Sequence, residues 1–240
     1  ISWFYYCVDD PLFDDPTSTV LLDTNGELLG ARIAKDGQWR FPLCKKVPHK
    51  FKTCIIQFED KRFHHHFGVD FLAVLRALKL NLSSGEKISG ASTLSMQLIR
   101  LSRKGKPRTY YEKIIEVIKA IRLELRYTKE EILQLYATNA PFGGNVVGLE
   151  TASWKYFSRS VEKLSIAEYA TLAVLPNRPS MINPNKNRNI LKSKRDKLLH
   201  HLFLEKFIDS ATFYLSLKEP LPEKTKPLPN LAPHLMDYVQ

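Results

Sequence analysis

Cysteine is scarce in this 240-residue chain, and no apolar run is long. The three cysteines, Cys7, Cys44 and Cys54, are odd in number and lack paired spacing, so no disulfide framework is predicted. No Cys and His spacing matches a metal site. The opening run ISWFYYC is too short to cross a bilayer. With no internal repeat visible, the composition predicts an ordinary globular protein with a sizeable core.

Acidic residues are in deficit, with 25 Asp and Glu against 36 Lys and Arg and a formal net charge of +11. An excess of this size predicts an anionic partner, which is a nucleic acid, an acidic membrane surface or a phosphorylated substrate. A solvated basic surface without a specific partner is the alternative. No sequence signature of a nucleic-acid-binding fold accompanies the basic stretches.

Both ends of the chain predict a piece of a longer protein. The aromatic start is followed by Asp9 and Asp10, as at the interfacial end of a transmembrane helix, although a shielded strand or loop is the alternative. We therefore expect a membrane-proximal remnant at 1–17. The last part, 209–240, is rich in proline and predicts a linker toward a further C-terminal domain.

Turn signals and periodicity divide the rest of the chain at about residue 47. Within 18–47, Asn25-Gly26 and Asp36-Gly37 are strong hairpin signals and predict a short antiparallel β segment. Residues 48–208 show helical periodicity and predict one mainly α-helical domain.

Helical signals in 48–208 are of three kinds: apolar stripes, capping boxes and a basic amphipathic stretch. They are Phe71, Val74, Leu75 and Leu78; Ile114, Val117, Ile118, Ile121 and Leu125; Thr128 with Glu131; Ser165 with Glu168; and residues 192–207. The expected fold is mainly α with a β segment at its start.

The stretch EDKRFHHHFG, residues 59–68, carries the first candidate catalytic group. Glu59 follows an apolar run, and a glutamate at an apolar boundary can be desolvated and become a usable general base. The alternative is a surface carboxylate at a helix end. The three adjacent histidines point in different directions on a helix, so they predict no metal site. Instead, a structural His66 that orients backbone or carboxylate groups is predicted.

The stretch GASTLSMQ, residues 90–97, and the basic residues after it predict an anion site. A hydroxyl-rich turn that opens a helix can bind an anion with its backbone amides. The cations that follow, with a density suited to a pyrophosphate, are Arg100, Arg103, Lys104, Lys106 and Arg108. Further on, Lys113 and Glu116 share one helix face at i, i+3.

Taken in order, these motifs resemble the signature of the family 51 peptidoglycan glycosyltransferases. The matching patterns are E-D-x-x-F-x-x-H-x-G, G-x-S-T-x-x-x-Q, K-x-x-E on a helix after a basic stretch, and E-I-L-x-x-Y, between about residues 18 and 208. Residues 36–42 and 140–157 are similar to the penicillin-binding protein 1C branch of that family. The resemblance implies a mainly α, lysozyme-like helical lobe with a smaller membrane-associated jaw, to which residues 63–84 would belong.

The resemblance also implies an activity, a location and partners. The activity is polymerisation of lipid II into β-1,4 glycan strands, with inversion and release of undecaprenyl pyrophosphate. The expected location is the bacterial inner membrane, with the catalytic domain on the periplasmic face. Expected partners are lipid II, the growing glycan strand, the membrane and other cell-wall synthesis proteins, but no nucleic acid.

Roles for individual residues follow from the same resemblance. Glu59 matches the general base. Glu116 matches a second catalytic carboxylate near the pyrophosphate, credited with a divalent cation, Mg or Mn; no organic cofactor is expected. The matching substrate-binding residues are Asp60, Ser92, Thr93, Gln97, Arg100, Arg108, Lys113 and Arg195.

The chain departs from the family pattern in three places, at Glu112, at Ala137-Thr138 and at Lys194. Glu112 stands where an arginine is usual, so weaker pyrophosphate binding is predicted. Two alternatives stay open: a lysozyme-like hydrolase with Glu59 as the acid, and a membrane-bound scaffold whose site has decayed. The basic run argues against the hydrolase, since a neutral glycosidic leaving group needs no such cluster.

Overall fold

The computed structural model describes residues 2–43, 46–84, 90–104, 106–107, 109–182 and 184–238. The chain divides into two compact units, each assembled from separate stretches of sequence. The first unit is Ile1–Asp14 with Glu59–Leu133, and the second is Asp15–Phe58 with Gln134–Gln240. Contacts join stretches that are distant along the chain, and the four consecutive segments expected from the sequence stay a prediction.

The described residues form eleven α-helices and five short strands, which confirms the mainly α expectation. The helices are α1 (Ser2–Tyr6), α2 (His49–Glu59), α3 (Phe71–Ser84), α4 (Leu94–Ser102), α5 (Tyr110–Glu124), α6 (Lys129–Asn139), α7 (Leu149–Phe157), α8 (Ile166–Val174), α9 (Arg188–Leu204), α10 (Ser210–Lys218) and α11 (Pro233–Tyr238). The strands are β1 (Thr19–Leu22), β2 (Leu28–Arg32), β3 (Trp39–Arg40), β4 (Pro141–Gly143) and β5 (Val146–Val147).

In the first unit, α4 and α5 pack against each other and against the loop that precedes α3. Gly68 in this loop has a φ of +80°, and a Cβ built on it would lie 2.6 Å from the backbone of Ala120 on α5. Only glycine therefore fits this approach. The loop is also held by Thr93, whose hydroxyl donates a 2.6 Å hydrogen bond to the Gly68 carbonyl oxygen.

The second unit contains the predicted hairpin. Strands β1 and β2 pair antiparallel, with Val20 opposite Ala31, and Gly26 takes a φ of +82° in the connecting turn. This confirms the hairpin at Asn25-Gly26. At Asp36-Gly37 the predicted turn forms, with Gly37 at a φ of +75° and the Ala34 N–H donating to the Gln38 carbonyl at 3.0 Å, but β3 after it pairs in parallel with β5 and not with β2. The partner of Trp39 in this pairing is Val146, 107 positions further along the chain, so no local signal could predict it.

Both predicted capping boxes are present. The Glu131 carboxylate accepts hydrogen bonds from the backbone and hydroxyl of Thr128, at 2.7 and 2.8 Å, in front of α6. Ser165 and Glu168 make the reciprocal pair at the start of α8. These local contacts satisfy amide groups that no helical carbonyl can reach, which is why the sequence alone locates both helix starts.

The C-terminal stretch expected as a linker is partly structured. It contains α10 and α11, and Leu231 donates a 2.7 Å backbone hydrogen bond to Leu29 of β2. An ion pair between Arg32 and Asp237 adds a second contact of α11 with the hairpin. Residues 209–238 therefore belong to the second unit.

The predicted apolar stripe of α3 is exposed. Phe71, Leu72 and Leu75 have 68%, 56% and 62% of their surface exposed, whereas the side chain of Leu78 lies outside what is described. No helix among the described residues is both long and apolar enough to cross a membrane. An exposed stripe of this kind suggests contact with another apolar surface.

Candidate active site

Glu59, the candidate base, ends α2 and is half-buried. Its Oε2 accepts a 2.7 Å hydrogen bond from Nε2 of Gln97, which is 7% exposed on α4. A neutral amide orients the carboxylate without adding a positive charge beside it. The structure thus brings together two residues that the resemblance assigned to the site.

Asp60, the next residue, turns into the protein. Its carboxylate oxygens lie 3.0 and 3.1 Å from Nε2 of His66, and Oδ2 also accepts the backbone N–H of Leu94 at 3.0 Å. Asp60 is 6% exposed. Its oxygens thus hold the loop to the start of α4, and its expected role in substrate binding stays a prediction. The prediction of a structural His66 is confirmed, while His64 and His65 are exposed.

Thr93 is also directed inward, as the N-cap of α4. Its hydroxyl accepts the backbone N–H of Met96 at 3.2 Å and donates to the Gly68 carbonyl, and the residue is 2% exposed. A hydroxyl used in both directions has little capacity left for a ligand. Thr93 therefore has a structural role, and its expected contact with substrate stays a prediction.

Ser92, Lys113 and Glu116 form a polar cluster between α5 and the residues before α4. The ammonium of Lys113 donates to Ser92 Oγ at 2.6 Å and lies 3.3 Å from Glu116 Oε2. The side chain of Lys113 is 41% exposed, whereas Glu116 is 8% exposed. The ammonium of Lys113 is therefore oriented by two neighbours while part of its side chain stays exposed to solvent. A site that binds an anion requires a cation of this kind.

Glu116 was also the expected metal ligand, but among the described residues it belongs to no group of side chains that could hold a metal ion. Among them, no group of three or more His, Cys, Asp and Glu side chains lies close enough to hold a metal ion. The Glu116 carboxylate is instead bonded to the ammonium of Lys113. Glu116 and its described neighbours do not form a set of metal ligands. No metal takes part in the reaction step proposed for this chain, and the divalent cation stays a prediction from the resemblance.

Glu112, the departure from the family pattern, forms an ion pair with Arg103. Their side chains are only 15% and 17% exposed, so the pair is largely shielded from water. Arg103 is the C-cap of α4, and the pair ties that helix end to the first turn of α5. Glu112 thus neutralises one cation of the basic run.

The other candidate cations have different surroundings. Arg100 is half-buried in the last turn of α4. Arg108 lies outside the described residues. Arg195 on α9 is 1% exposed, and its guanidinium donates to Asp196 at 2.9 Å and to the Glu219 carbonyl at 2.7 Å. This burial favours a packing role in the second unit, and the expected substrate contact of Arg195 stays a prediction.

Sequence reasoning missed a buried carboxylate, Glu124, in the last turn of α5. Its side chain is 2% exposed and accepts a 2.5 Å hydrogen bond from Ser95 Oγ, with Lys129 Nζ 2.5 Å from its other oxygen. The sequence did contain a signal that Glu124 is buried. Glu124 lies four positions after Ala120 and eight after Glu116, on the buried face of α5. A charged residue on such a face has a partner in nearly every case.

Comparison with known proteins identifies the family. A family model described as Transglycosylase matches residues 25–203, most of the chain. Penicillin-binding protein 1C of Escherichia coli K12 is 36% identical over 224 residues, covering 93% of this chain and 29% of that protein. Penicillin-binding protein 1A of Rickettsia bellii is 31% identical, covering 91% of this chain and 28% of that protein.

One solved structure, penicillin-binding protein 1A from Haemophilus influenzae, matches with a TM-score of 0.49 and 19% identity, covering 95% of this chain and 24% of that one. The chain spans less than a third of the length of the two curated relatives above, at 29% and 28%. The family match and these identities confirm the family expected from the motifs. The chain belongs to the transglycosylase family, as a peptidoglycan glycosyltransferase domain.

Proposed function

We propose that this chain polymerises lipid II into β-1,4 glycan strands and releases undecaprenyl pyrophosphate. The observation that carries the proposal is the shared segment 92–97. Its last residue, Gln97, orients the Glu59 carboxylate, and its first, Ser92, orients the Lys113 ammonium. A base for one reactant and a cation for the leaving group of the other are the two groups that this transfer needs.

The proposed step begins at the acceptor sugar. Glu59 accepts the proton of the 4-hydroxyl of N-acetylglucosamine, and the oxygen attacks the anomeric carbon of the growing chain. The bond from that carbon to the pyrophosphate oxygen breaks, and the bonding electrons leave with the pyrophosphate. Attack from the opposite face inverts the anomeric configuration. A positioned base of this kind contributes roughly 10²–10⁴-fold to the rate.

The remaining barrier is lowered at the leaving group. Negative charge develops on the pyrophosphate as the bond breaks, and a cation already aimed at that position stabilises it without reorganising. We assign this role to Lys113, whose ammonium donates to Ser92 and Glu116. Arg100 and Arg108 are proposed as further donor-site cations on the strength of the motif resemblance.

We further propose that the protein works at the periplasmic face of the bacterial inner membrane. A lipid-linked substrate keeps its polyprenyl chain in the bilayer, so the enzyme must approach the membrane surface. The exposed apolar residues of α3, Phe71, Leu72 and Leu75, together with the net charge of +11, suit contact with an anionic bilayer. The stretch 63–84 is thus the proposed membrane-associated jaw, and other cell-wall synthesis proteins are proposed partners.

Incubation with labelled lipid II tests the proposal. Strands longer than the substrate, separated by gel electrophoresis, are the expected product, and the Glu59→Gln variant should form none. Fragments released from intact sacculi, without strand growth, would show a glycan hydrolase instead. If the chain binds inorganic pyrophosphate but forms neither product, the protein is a membrane-bound scaffold whose site has decayed. The proposed function is then wrong.

A further inference from the structure

A network of buried ionisable groups begins at Asp60, the residue after Glu59, and the proposed reaction does not use it. Its members are Asp60, His66, Glu124 and Lys129. The side chains of Asp60, His66 and Glu124 are 3%, 4% and 2% exposed. Burial at this level is costly for a charge unless each group keeps its partners.

Glu124 connects most of this network. One oxygen accepts the hydroxyl of Ser95 at 2.5 Å and lies 3.9 Å from Nδ1 of His66. The other lies 2.5 Å from the ammonium of Lys129, which also donates to the His66 carbonyl oxygen at 2.7 Å. Lys129 thereby links Glu124 to the backbone of His66, whose Nε2 contacts Asp60, while Nδ1 of the same ring lies beyond hydrogen-bonding distance of Glu124.

Two branches of the network end on the first turn of α4. In one branch, the Asp60 carboxylate, which contacts His66, accepts the backbone N–H of Leu94 directly. Directly, Glu124 reaches the hydroxyl of Ser95, a residue that is 0% exposed. The first turn of α4 is therefore fixed at consecutive residues, one through its backbone and one through its side chain.

Gln97, which orients Glu59, is the next polar residue of that helix. Its amide lies less than one turn beyond Ser95, so a shift of the first turn moves the donor that holds the base. Glu59 is also covalently next to Asp60, the other end of the network. Both members of the Glu59–Gln97 pair thus depend on groups that Glu124 holds.

We infer that Glu124 is a positioning residue, which sets the direction of the Glu59 carboxylate through Ser95 and His66 without touching the substrate. The inference rests on the proposed function for its chemistry. A misplacement of the reacting groups by about 1 Å can lower a rate by roughly 10²-fold. The loss of Glu124 should therefore lower kcat and leave substrate binding unchanged.

The test is a double-mutant cycle in lipid II polymerisation. In the otherwise unchanged chain, Glu124→Gln should lower kcat by about 10- to 100-fold, with KM unchanged. In a Gln97→Ala background the same substitution should lower kcat by no more than about twofold, since the contact through which it acts is already lost. A rise in KM in step with the fall in kcat, or the full loss of kcat in both backgrounds, would overturn the inference.

A second variant covers the case in which Glu124→Gln does not fold. Ser95→Ala removes one hydroxyl and no charge, so the buried ions keep their balance. It should also lower kcat in the otherwise unchanged chain but not in the Gln97→Ala background, and equal losses in both would count against the inference. The matched control is Glu130→Gln, which removes the same charge from an exposed position on α6 and should keep full activity.

Crystal structures separate this inference from the proposed function. If the unaltered chain makes no polymer, the proposed function fails, but the positioning role can still be decided. In Glu124→Gln, or in Ser95→Ala, the Gln97–Glu59 hydrogen bond of 2.7 Å should be lost or lengthened beyond hydrogen-bonding distance. If both structures keep that bond and the position of α4, the inference is wrong.

Discussion

The side-chain amide of Gln97 donates a 2.7 Å hydrogen bond to the Glu59 carboxylate across 38 positions of sequence. This contact joins the end of one helix to the second turn of another. Because the donor is neutral, it directs the carboxylate while leaving its charge available to accept a proton.

Replacing Glu59 with glutamine should abolish polymerisation. The amide keeps the size of the side chain but cannot accept the hydroxyl proton, so kcat should fall by at least roughly 10²–10⁴-fold. Binding of lipid II should be retained, because the base is not the group that holds the pyrophosphate. Product formation and equilibrium binding, measured on the same preparation, check both statements. Comparable turnover in the variant would remove Glu59 from the base role.

Replacing Lys113 with alanine should weaken binding of inorganic pyrophosphate. The side chain is 41% exposed, so the lost interaction is worth at most about 1 kcal/mol, or roughly fivefold in Kd. Calorimetry at low and high salt measures this, and the difference should shrink as salt rises. Lys119→Ala, on the same helix, removes the same charge and should have a smaller effect. Equal effects of the two substitutions would mean that only net charge matters.

Replacing Glu112 with glutamine should tighten binding of inorganic pyrophosphate. The substitution removes a negative charge and releases Arg103 from its ion pair. A gain of about 1 kcal/mol, several-fold in Kd, is expected for a charge change near a partly exposed site. The melting temperature should fall slightly, since Arg103 is largely buried and loses its partner. An unchanged Kd would place the Arg103–Glu112 pair outside the donor site.

Replacing Leu75 with aspartate should weaken binding to anionic lipid vesicles. Leu75 is 62% exposed on α3, and burying such a side chain in a bilayer contributes about 2 kcal/mol. Co-sedimentation with vesicles should therefore show at least a tenfold weaker partition at this energy. Leu215→Asp is the control, because Leu215 is 65% exposed on α10 of the other unit. If only the control weakened binding, the membrane contact would lie elsewhere.

Replacing Glu150 with glutamine should stabilise the protein more at high pH than at low pH. Burial raises the pKa of Glu150 above its ordinary value of 4.5, against hydrogen bonds from the Val161 backbone and the Trp154 side chain that lower it. A raised pKa in the folded state means that stability is full below pH 4.5 and declines as the pH rises through the folded value. Melting temperatures of both proteins from pH 4 to 8 test this. A constant difference across that range would contradict it.

Local signals predicted much of the fold. Both capping boxes, at Thr128 and Ser165, and the hairpin turn at Gly26 formed where the sequence indicated. Each depends on residues within a few positions of one another, so the physics that forms them is visible in a short window. The strand pairing of Trp39 with Val146 could not be predicted in this way, since its partner is distant in sequence.

The sequence predicted which residue types belong to the candidate site. It did not predict which of them are bonded to the protein itself. Asp60, Thr93 and Arg195 were expected to contact substrate, yet each is buried and bonded to the protein itself. A motif records which residues a site needs without separating those that touch a ligand from those that support them. Glu124 is the opposite case. No motif pointed to it, yet its carboxylate contacts Ser95 and Lys129.

The amino-acid order by itself determined the helix starts, the excess of positive charge and the chemical groups at residues 59, 97, 113 and 116. These features follow from short-range spacing and composition. Only the tertiary structure decided which carboxylates face inward, which lysine is held by a hydroxyl and a carboxylate, and where Glu112 finds its arginine. The physical reason is desolvation. Whether a polar side chain serves a ligand or the fold depends on which partners surround it once water is removed, and those partners come from distant parts of the chain.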